Sequence, residues 1–224
     1  MKITDWPRSE RPIEKLLSHG VESLADAELL AVFLRTGVKG LNAVDLGRQL
    51  ISRFGSVSGF LQADKADILK HSGIGPSKYA QLTAVLELAK RSLEESLKCK
   101  DVFTDVNAVR AYIQQQMSGL KREVFALLLL DSQHQLIAFR KLFFGTINSA
   151  AVYPREIVKQ ALSDNAAAVI LVHNHPSGLA EPSQADVCIT AQIQQALNTI
   201  DIRVLDHFVV AGTTTVSFAQ RGLI

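Results

Sequence analysis

The chain has 224 residues, 47% of them hydrophobic, which is enough for one large domain or two modest ones with a filled core. No apolar run approaches the roughly 20 residues that cross a membrane, and the N-terminal residues MKITDWPRSE lack the apolar stretch of a secretory signal. A net charge of +2 and a pI near 8.6 do not make a surface-wide basic footprint. These features predict a cytoplasmic globular protein without membrane contact.

The two cysteines, Cys99 and Cys188, are far apart and form no CxxC pair. Neither a disulfide framework nor a thiolate zinc site is therefore indicated for them. Both cysteines are expected to be small buried hydrophobic residues.

The character of the sequence changes near residue 100. Up to Leu97 the apolar residues recur mostly at helical spacing, as in AQLTAVLELAKRSLEESL, which predicts an all-helical unit. The segment SLKCKDVFTD then loses that spacing and carries mixed charge, as linkers do. We therefore predict two domains, residues 1–99 and 103–224.

In the second domain the predicted elements alternate between helices and strands. In chain order they are a helix from Asp105 to about Met117, a hairpin in EVFALLLLD and QLIAFRKLFFG, a helix in PREIVKQALSDN, a buried strand in AAAVILVHN, a long helix from Ser183, and two strands in IRVLDHFVVAG and TTTVSF. This pattern predicts a mixed α/β fold with helices packed on a central sheet.

The stretch HNHPSGLAEPSQAD carries three groups that bind metals. His173 and His175 follow a predicted strand and point to the same face, because strand side chains alternate with period two. Pro176 turns the chain, and Asp186 lies in the first turn of the helix that starts at Ser183. Two imidazoles and a carboxylate are the protein share of a catalytic zinc site with an open fourth position.

Simpler explanations exist for each part of this stretch. Two loop histidines are usually polar surface. The SQAD segment fits a helix-capping device, with Ser183 at the cap and Asp186 three residues on, where the helix dipole favours a carboxylate. Each explanation suffices for its own part, but neither accounts for all three ligands together.

A metallohydrolase also needs a general base, most often a carboxylate. Glu123 is the candidate, because it opens the apolar run EVFALLLLD and so lies at the edge of the core. An ordinary charged residue at the surface end of a strand, beside Lys121 and Arg122, also explains Glu123, and spacing alone slightly favours that explanation. The rival carboxylate, Glu156, lies within a helical pattern and is better explained as a solvated or capping residue.

His207 has two interpretations. It alternates with Asp206 in the strand pattern LDHFVV, so only one of the two side chains can face the site. His207 either orients a metal ligand or is a core histidine.

The helical half contains the turn Gly73-Ile74-Gly75 between two helical patterns, and it resembles a helix-hairpin-helix motif. In that motif, backbone N–H groups of the turn can hold a DNA phosphate, with Lys78 nearby. A tight turn that needs positive φ explains the two glycines equally well. DNA contact through Gly73 and Gly75 is therefore one of two interpretations.

The metal-binding stretch resembles the JAMM metalloprotease superfamily, also called MPN+, whose pattern is His-x-His, a proline, then Ser-x-x-Asp. More closely, REVFALLLLD, GTINSAAVYPREIVKQAL, HNHPSG and LDHFVVAG, in this order, resemble the RadC family from about residue 103 to the end. The resemblance implies a mixed-sheet, cytidine deaminase-like JAMM domain.

By that resemblance His173, His175 and Asp186 correspond to the ligands of one Zn²⁺ per chain. Glu123 corresponds to the glutamate that handles the proton, and Ser183 to the serine that supports the developing oxyanion. The implied activity is that of a zinc metallopeptidase acting on an unidentified peptide or protein substrate. The alternatives are a metal-dependent nuclease and a DNA- or protein-binding adaptor with a structural metal site.

Overall fold

The structure is a computed structural model, and it divides into two compact units, Met1–Leu88 and Ala89–Ile224. The residues that it describes are 2–98, 106–117, 119–145 and 152–224. The expected linker falls partly on residues 99–105, which lie outside the described ranges together with Cys99 and Asp105. Separate folding of residues 1–99 and 103–224 stays a prediction.

The first unit is helical. Its α-helices are α1 Pro12–His19, α2 Asp26–Leu34, α3 Ala43–Phe54, α4 Val57–Gln62, α5 Lys65–Leu69 and the first part of α6 Pro76–Lys98. Helix α3 shows why these segments start and stop where they do. The Asn42 side chain accepts a hydrogen bond from the Asp45 N–H at its start, and Gly55 takes the left-handed conformation at its end. The core residues Leu34, Leu46 and Phe60 are almost fully buried.

The second unit contains the end of α6 and the elements α7 Val106–Met117, β1 Val124–Leu130, β2 Leu136–Phe144, α8 Pro154–Ser163, β3 Ala168–Asn174, α9 Gln184–Asn198, β4 Arg203–Ala211 and β5 Thr214–Ser217. In the described residues the strands form one sheet of order β2-β1-β3-β4-β5. Strands β3 and β4 are parallel and joined through α9, whereas the other neighbouring strands are antiparallel.

The two faces of this sheet pack against different helices. On one face, residues such as Leu128 and Val172 form a cluster with Tyr112 and Met117 of α7 and with Leu97 of α6. The other face carries a second apolar cluster shared with α8 and α9. Every residue of β1 and β3 is buried, which explains why both segments read as continuous apolar runs in the sequence.

The predicted mixed α/β fold with a helical N-terminal region is confirmed, including the β1–β2 hairpin and the helix that follows Ser183. The prediction that Cys188 is buried is wrong, because Cys188 is exposed. Helix α9 buries Thr190, Ile193 and Leu197, and Cys188 lies off that stripe. Among the described residues, no helix combines the length and apolarity needed to cross a membrane.

Candidate metal centre

Strand β3 brings the two histidines of the motif to one edge of the sheet. His173 lies on the face that packs against α8 and α9, two residues after Leu171 of the same cluster. His175 stays in line with the strand because its backbone N–H donates to the Val210 carbonyl of β4 at 2.8 Å. Between them, Asn174 points to the opposite face. The predicted alternation is therefore observed.

Helix α9 supplies the carboxylate. Ser183 is its N-cap, and the Asp186 carboxylate accepts from the Ser183 N–H at 2.7 Å, while the Asp186 N–H donates to Ser183 Oγ at 3.2 Å. This reciprocal pair is a capping box, as the simpler explanation of SQAD expected. The capping geometry also presents the carboxylate to the histidines, so the two explanations are compatible.

The three side chains converge at their polar atoms. His173 Nε2 lies 3.3 Å from Asp186 Oδ1, and His175 Nε2 lies 3.7 Å from Asp186 Oδ2. The two Nε2 atoms are 3.0 Å apart. One ligand atom from each residue lies within 4.8 Å of the others, so this group could hold a metal ion.

The hydrogen bonds of His175 indicate which nitrogen faces the centre. Its Nδ1 lies 2.8 Å from the Leu179 carbonyl oxygen, which can only accept, so Nδ1 carries the proton. In the neutral ring, Nε2 then has a lone pair directed at His173 Nε2 and at the carboxylate. Such a donor set of two imidazole nitrogens and one carboxylate fits zinc and leaves room for a fourth ligand.

The charges of Asp186, His175 and His207 depend on one another. Burial favours a raised pKa for Asp186, but the hydrogen bonds that His173 and His175 donate when their rings are protonated outweigh burial and hold the pKa well below its usual range. The same bond to Asp186, opposed by burial, raises the pKa of His175. Burial lowers the pKa of His207 far below its usual value. The carboxylate is therefore ionised at neutral pH, and when both rings are neutral it leaves the cluster a negative charge that a cation can balance.

Glu123 lies beside this cluster. It is half-buried, directly before β1, and the antiparallel register pairs Phe125 with His173. Continuing that register by two residues sets Glu123 opposite His175 on the same face, and the Glu123 carboxylate contributes to the raised pKa of His175. The segment is held by Asn174, whose Oδ1 accepts from the Val124 N–H at 2.8 Å.

Glu156, the rival carboxylate, contacts Arg155, and Ser183 contacts Asp186 of the cluster. Glu156 is in the first turn of α8, where it is partly exposed and lies 3.5 Å from the Arg155 guanidinium, as a solvated helix residue would. Ser183 is exposed at the start of α9, and its hydroxyl donates to Asp186 Oδ2 at 2.6 Å. A role for Ser183 in supporting an oxyanion stays a prediction.

His207 lies behind His173. Its ring is fully buried, and its Nε2 is 2.8 Å from His173 Nδ1. Its Nδ1 is 2.7 Å from Oγ1 of Thr190, one turn along α9 from Asp186. His207 is thus both a core residue and a partner of His173, which joins the two interpretations left open by the sequence. Thr190 was missed, although its i+4 spacing from Asp186 is a readable signal.

The glycine turn of the helical unit lies between α5 and α6. Gly73 has φ +96°, and a Cβ at this position would lie 2.7 Å from the Val38 side chain, so position 73 requires glycine for local reasons. The expectation that both glycines need positive φ is wrong at Gly75, which has neither a positive φ nor an atom within 4 Å of such a Cβ. The Lys78 ammonium donates to the Thr36 carbonyl at 2.8 Å. DNA contact through Gly73 and Gly75 stays a prediction.

Comparison with known proteins covers both parts of the chain. Residues 103–223 match the family model described as a RadC-like JAB domain, and residues 3–80 match the UPF0758 N-terminal model. Similar proteins, each called a UPF0758 protein, occur in Alteromonas mediterranea and Pseudoalteromonas atlantica, with 57% and 58% identity over all 224 residues of both chains. One from Aeromonas salmonicida is 59% identical over 222 residues, 99% of each chain. The chain therefore belongs to the RadC family, with a RadC-like JAB domain that follows a UPF0758 N-terminal domain.

Proposed function

We propose that this protein is a zinc-dependent hydrolase of the JAMM type that cleaves a peptide or isopeptide bond. The observation that carries the proposal is the convergence of His173 Nε2, His175 Nε2 and the Asp186 carboxylate. Two unprotonated imidazole nitrogens at 3.0 Å repel one another unless a cation or a proton lies between them. An ionised carboxylate on the same side adds the charge that favours a divalent cation.

His173, His175 and Asp186 would hold the zinc ion. Bound zinc supplies a Lewis acid that acidifies a water molecule and polarises the carbonyl under attack. Three protein ligands leave one coordination position open, as catalytic zinc sites require. A structural zinc site is usually closed by four protein ligands, so this donor set favours catalysis over the adaptor alternative.

Glu123 acts as the general base. Its position at the edge of β1, on the face of His175, allows its carboxylate to take a proton from the attacking water and return it to the leaving amine. Ser183 lies beside Asp186 of the cluster. Its hydroxyl has a single proton, which must turn from Asp186 Oδ2 towards the substrate to support the developing oxyanion.

The donor set also bears on the nuclease alternative. Phosphodiester cleavage usually relies on magnesium or manganese bound by oxygen ligands, often as a pair of ions. The cluster of His173, His175 and Asp186 offers two imidazole nitrogens and one carboxylate. It therefore favours a zinc hydrolase that acts on carbonyl compounds, with a peptide or protein as the substrate.

Hydrolysis assays with matched substrates test the proposal. The full-length protein is stripped with a chelator, reloaded with zinc, and incubated with quenched peptide libraries, isopeptide-linked peptides, single- and double-stranded DNA, and RNA. We expect cleavage of a peptide or isopeptide substrate that is lost on stripping and restored by zinc, and that zinc does not restore in Asp186→Ala. Cleavage of nucleic acid alone, or no cleavage of any substrate by the zinc-loaded protein, would overturn the proposal.

A further inference from the structure

His207 of β4 is buried between His173 of the metal cluster and Thr190 of helix α9. His207 is 0% exposed and lies between the rings of Phe125 and Phe218, whose centroids are 5.5 and 4.5 Å from its own. Burial among aromatic rings disfavours the charged imidazolium, so His207 is neutral and carries one proton. The position of that proton follows from its two hydrogen-bond partners.

Thr190 determines which nitrogen of His207 carries the proton. The Thr190 hydroxyl has one proton, and its Oγ1 lies 2.5 Å from the Asp186 carbonyl oxygen, which can only accept. That proton is therefore committed to Asp186. At 2.7 Å from Thr190 Oγ1, His207 Nδ1 must then be the donor, and the second nitrogen of His207, Nε2, keeps a lone pair.

The tautomer of His207 in turn determines the tautomer of His173. His207 Nε2 accepts at 2.8 Å from His173 Nδ1, so His173 carries its proton on Nδ1. His173 Nε2 is then an unprotonated donor atom, directed at His175 and Asp186. The opposite tautomer of His207 would place a proton on His173 Nε2 and block it as a ligand.

We infer that His207 and Thr190 are positioning residues that fix His173 in its metal-binding tautomer. The inference rests on the metal site of the proposed function. Because Thr190 also holds the backbone carbonyl of Asp186, the one chain of hydrogen bonds sets the orientation of two of the three ligands. A hydrogen-bonded partner that orients a metal ligand in this way typically changes metal affinity by about 10- to 100-fold.

The tautomers can be read directly in the wild-type protein. Long-range proton–nitrogen NMR spectra of ¹⁵N-histidine-labelled, zinc-loaded protein distinguish Nδ1–H from Nε2–H rings. We expect both His173 and His207 to carry the proton on Nδ1. A proton on Nε2 of His207 would overturn the inference, whatever the variants show.

Paired variants at Thr190 test the consequence for the metal. Zinc affinity is measured by competition with a chromophoric chelator, a readout that does not depend on hydrolysis. Thr190→Val keeps the shape but removes the hydroxyl, and we expect zinc to bind about 10- to 100-fold more weakly. Thr190→Ser keeps the hydroxyl and should stay within about twofold of the wild type. Equal affinity of Thr190→Val and the wild type would contradict the inference.

A control and a second pair of variants exclude effects of stability. Thr199→Val removes a similar bond at the C-cap of the same helix, from Thr199 Oγ1 to the Gln195 carbonyl, away from the site, and should leave zinc affinity unchanged. If Thr190→Val does not fold, His207→Gln and His207→Leu replace it. The glutamine retains an acceptor for His173 Nδ1, so it should bind zinc more tightly than the leucine. Equal zinc affinity of these two variants would overturn the inference.

Failure of the proposed function gives a different result. If the wild type binds no zinc in the same titration, the metal site itself is wrong. If the wild type binds zinc, Thr190→Val binds it weakly and no substrate is cleaved, the hydrolase proposal fails while the positioning role of His207 and Thr190 stands.

Discussion

The two faces of the central sheet are built from the same strands but carry different chemistry. Against α7 the sheet is an apolar core, in which Leu128 and Val172 pack on Tyr112 and Met117. Against α8 and α9 it is apolar only as far as Leu171, after which the same strand presents histidine. The comparison shows how one fold can combine a core with a candidate metal site, since period-two alternation lets one strand and the residue after it supply a continuous core and two candidate ligands.

The largest expected effect is on catalysis and comes from the α8 and α9 face. Glu123→Gln keeps the size of the side chain but cannot accept a proton, so kcat/KM should fall by about 10² to 10⁴ with zinc content unchanged. Glu156→Gln, which changes the partly exposed rival carboxylate, is the matched control and should retain full activity. A Glu123→Gln enzyme as active as the wild type would show that Glu123 only ends a strand.

The next effect separates the two faces of β1. Leu128→Ala should lower the free energy of unfolding by about 2–5 kcal/mol and Phe125→Ala by about 3–5 kcal/mol, since both side chains are buried. Phe125 stacks on His173 with centroids 6.1 Å apart, so its loss should also weaken zinc binding, while Leu128→Ala should not. Urea unfolding and zinc titration measure both quantities. Equal zinc affinities of Phe125→Ala and Leu128→Ala would contradict this distinction between the two faces of the sheet.

A smaller effect is expected at Asn174, which lies on the α7 face but holds the segment of Glu123. Asn174→Ala removes bonds to the Val124 N–H at 2.8 Å and the Arg122 carbonyl at 3.1 Å, which should destabilise the fold by about 1–3 kcal/mol. Hydrolysis should fall less than in Glu123→Gln, with zinc retained. Asn198→Ala, exposed at the end of α9, is the control and should change stability by less than about 0.5 kcal/mol.

The smallest effect concerns the rim of the sheet, where Asp164 accepts from the Arg140 guanidinium at 2.8 and 3.2 Å. This bond holds the pKa of Asp164 below its usual range. Its stabilisation is therefore present at neutral pH and is lost as the pH falls through the lowered pKa. Arg140 is half exposed, so Asp164→Asn should lower the free energy of unfolding by less than about 1 kcal/mol at pH 7. The difference in unfolding free energy between Asp164→Asn and the wild type should shrink in acid. Urea unfolding of both proteins at several pH values measures this difference, and a difference that grew in acid would contradict the prediction.

Local sequence patterns predicted the strand and helix that carry the candidate ligands. Alternation placed His173 and His175 on one face, and capping chemistry placed Ser183 and Asp186 at a helix start, because both are properties of a few neighbouring residues. These parts of the site needed no knowledge of distant contacts.

The remaining parts depend on contacts that no local pattern contains. Glu123 lies opposite His175 through the antiparallel register of β1 and β3, and nothing in the run EVFALLLLD specifies that register. His207 meets His173 and Thr190 only after β4 pairs with β3 and α9 packs on both. Alternation could therefore assign these residues a face but not a neighbour.

Zinc content tests the central claim most directly, namely that His173, His175 and Asp186 hold one zinc ion. The wild type, Asp186→Ala and the control Asp201→Asn, in which an exposed carboxylate away from the cluster is changed, are equilibrated with zinc and a weak competing chelator. The number of zinc ions bound per chain is then measured by elemental mass spectrometry. The account predicts about one zinc ion in the wild type and in Asp201→Asn, and almost none in Asp186→Ala. Equal zinc in Asp186→Ala and the wild type would contradict it.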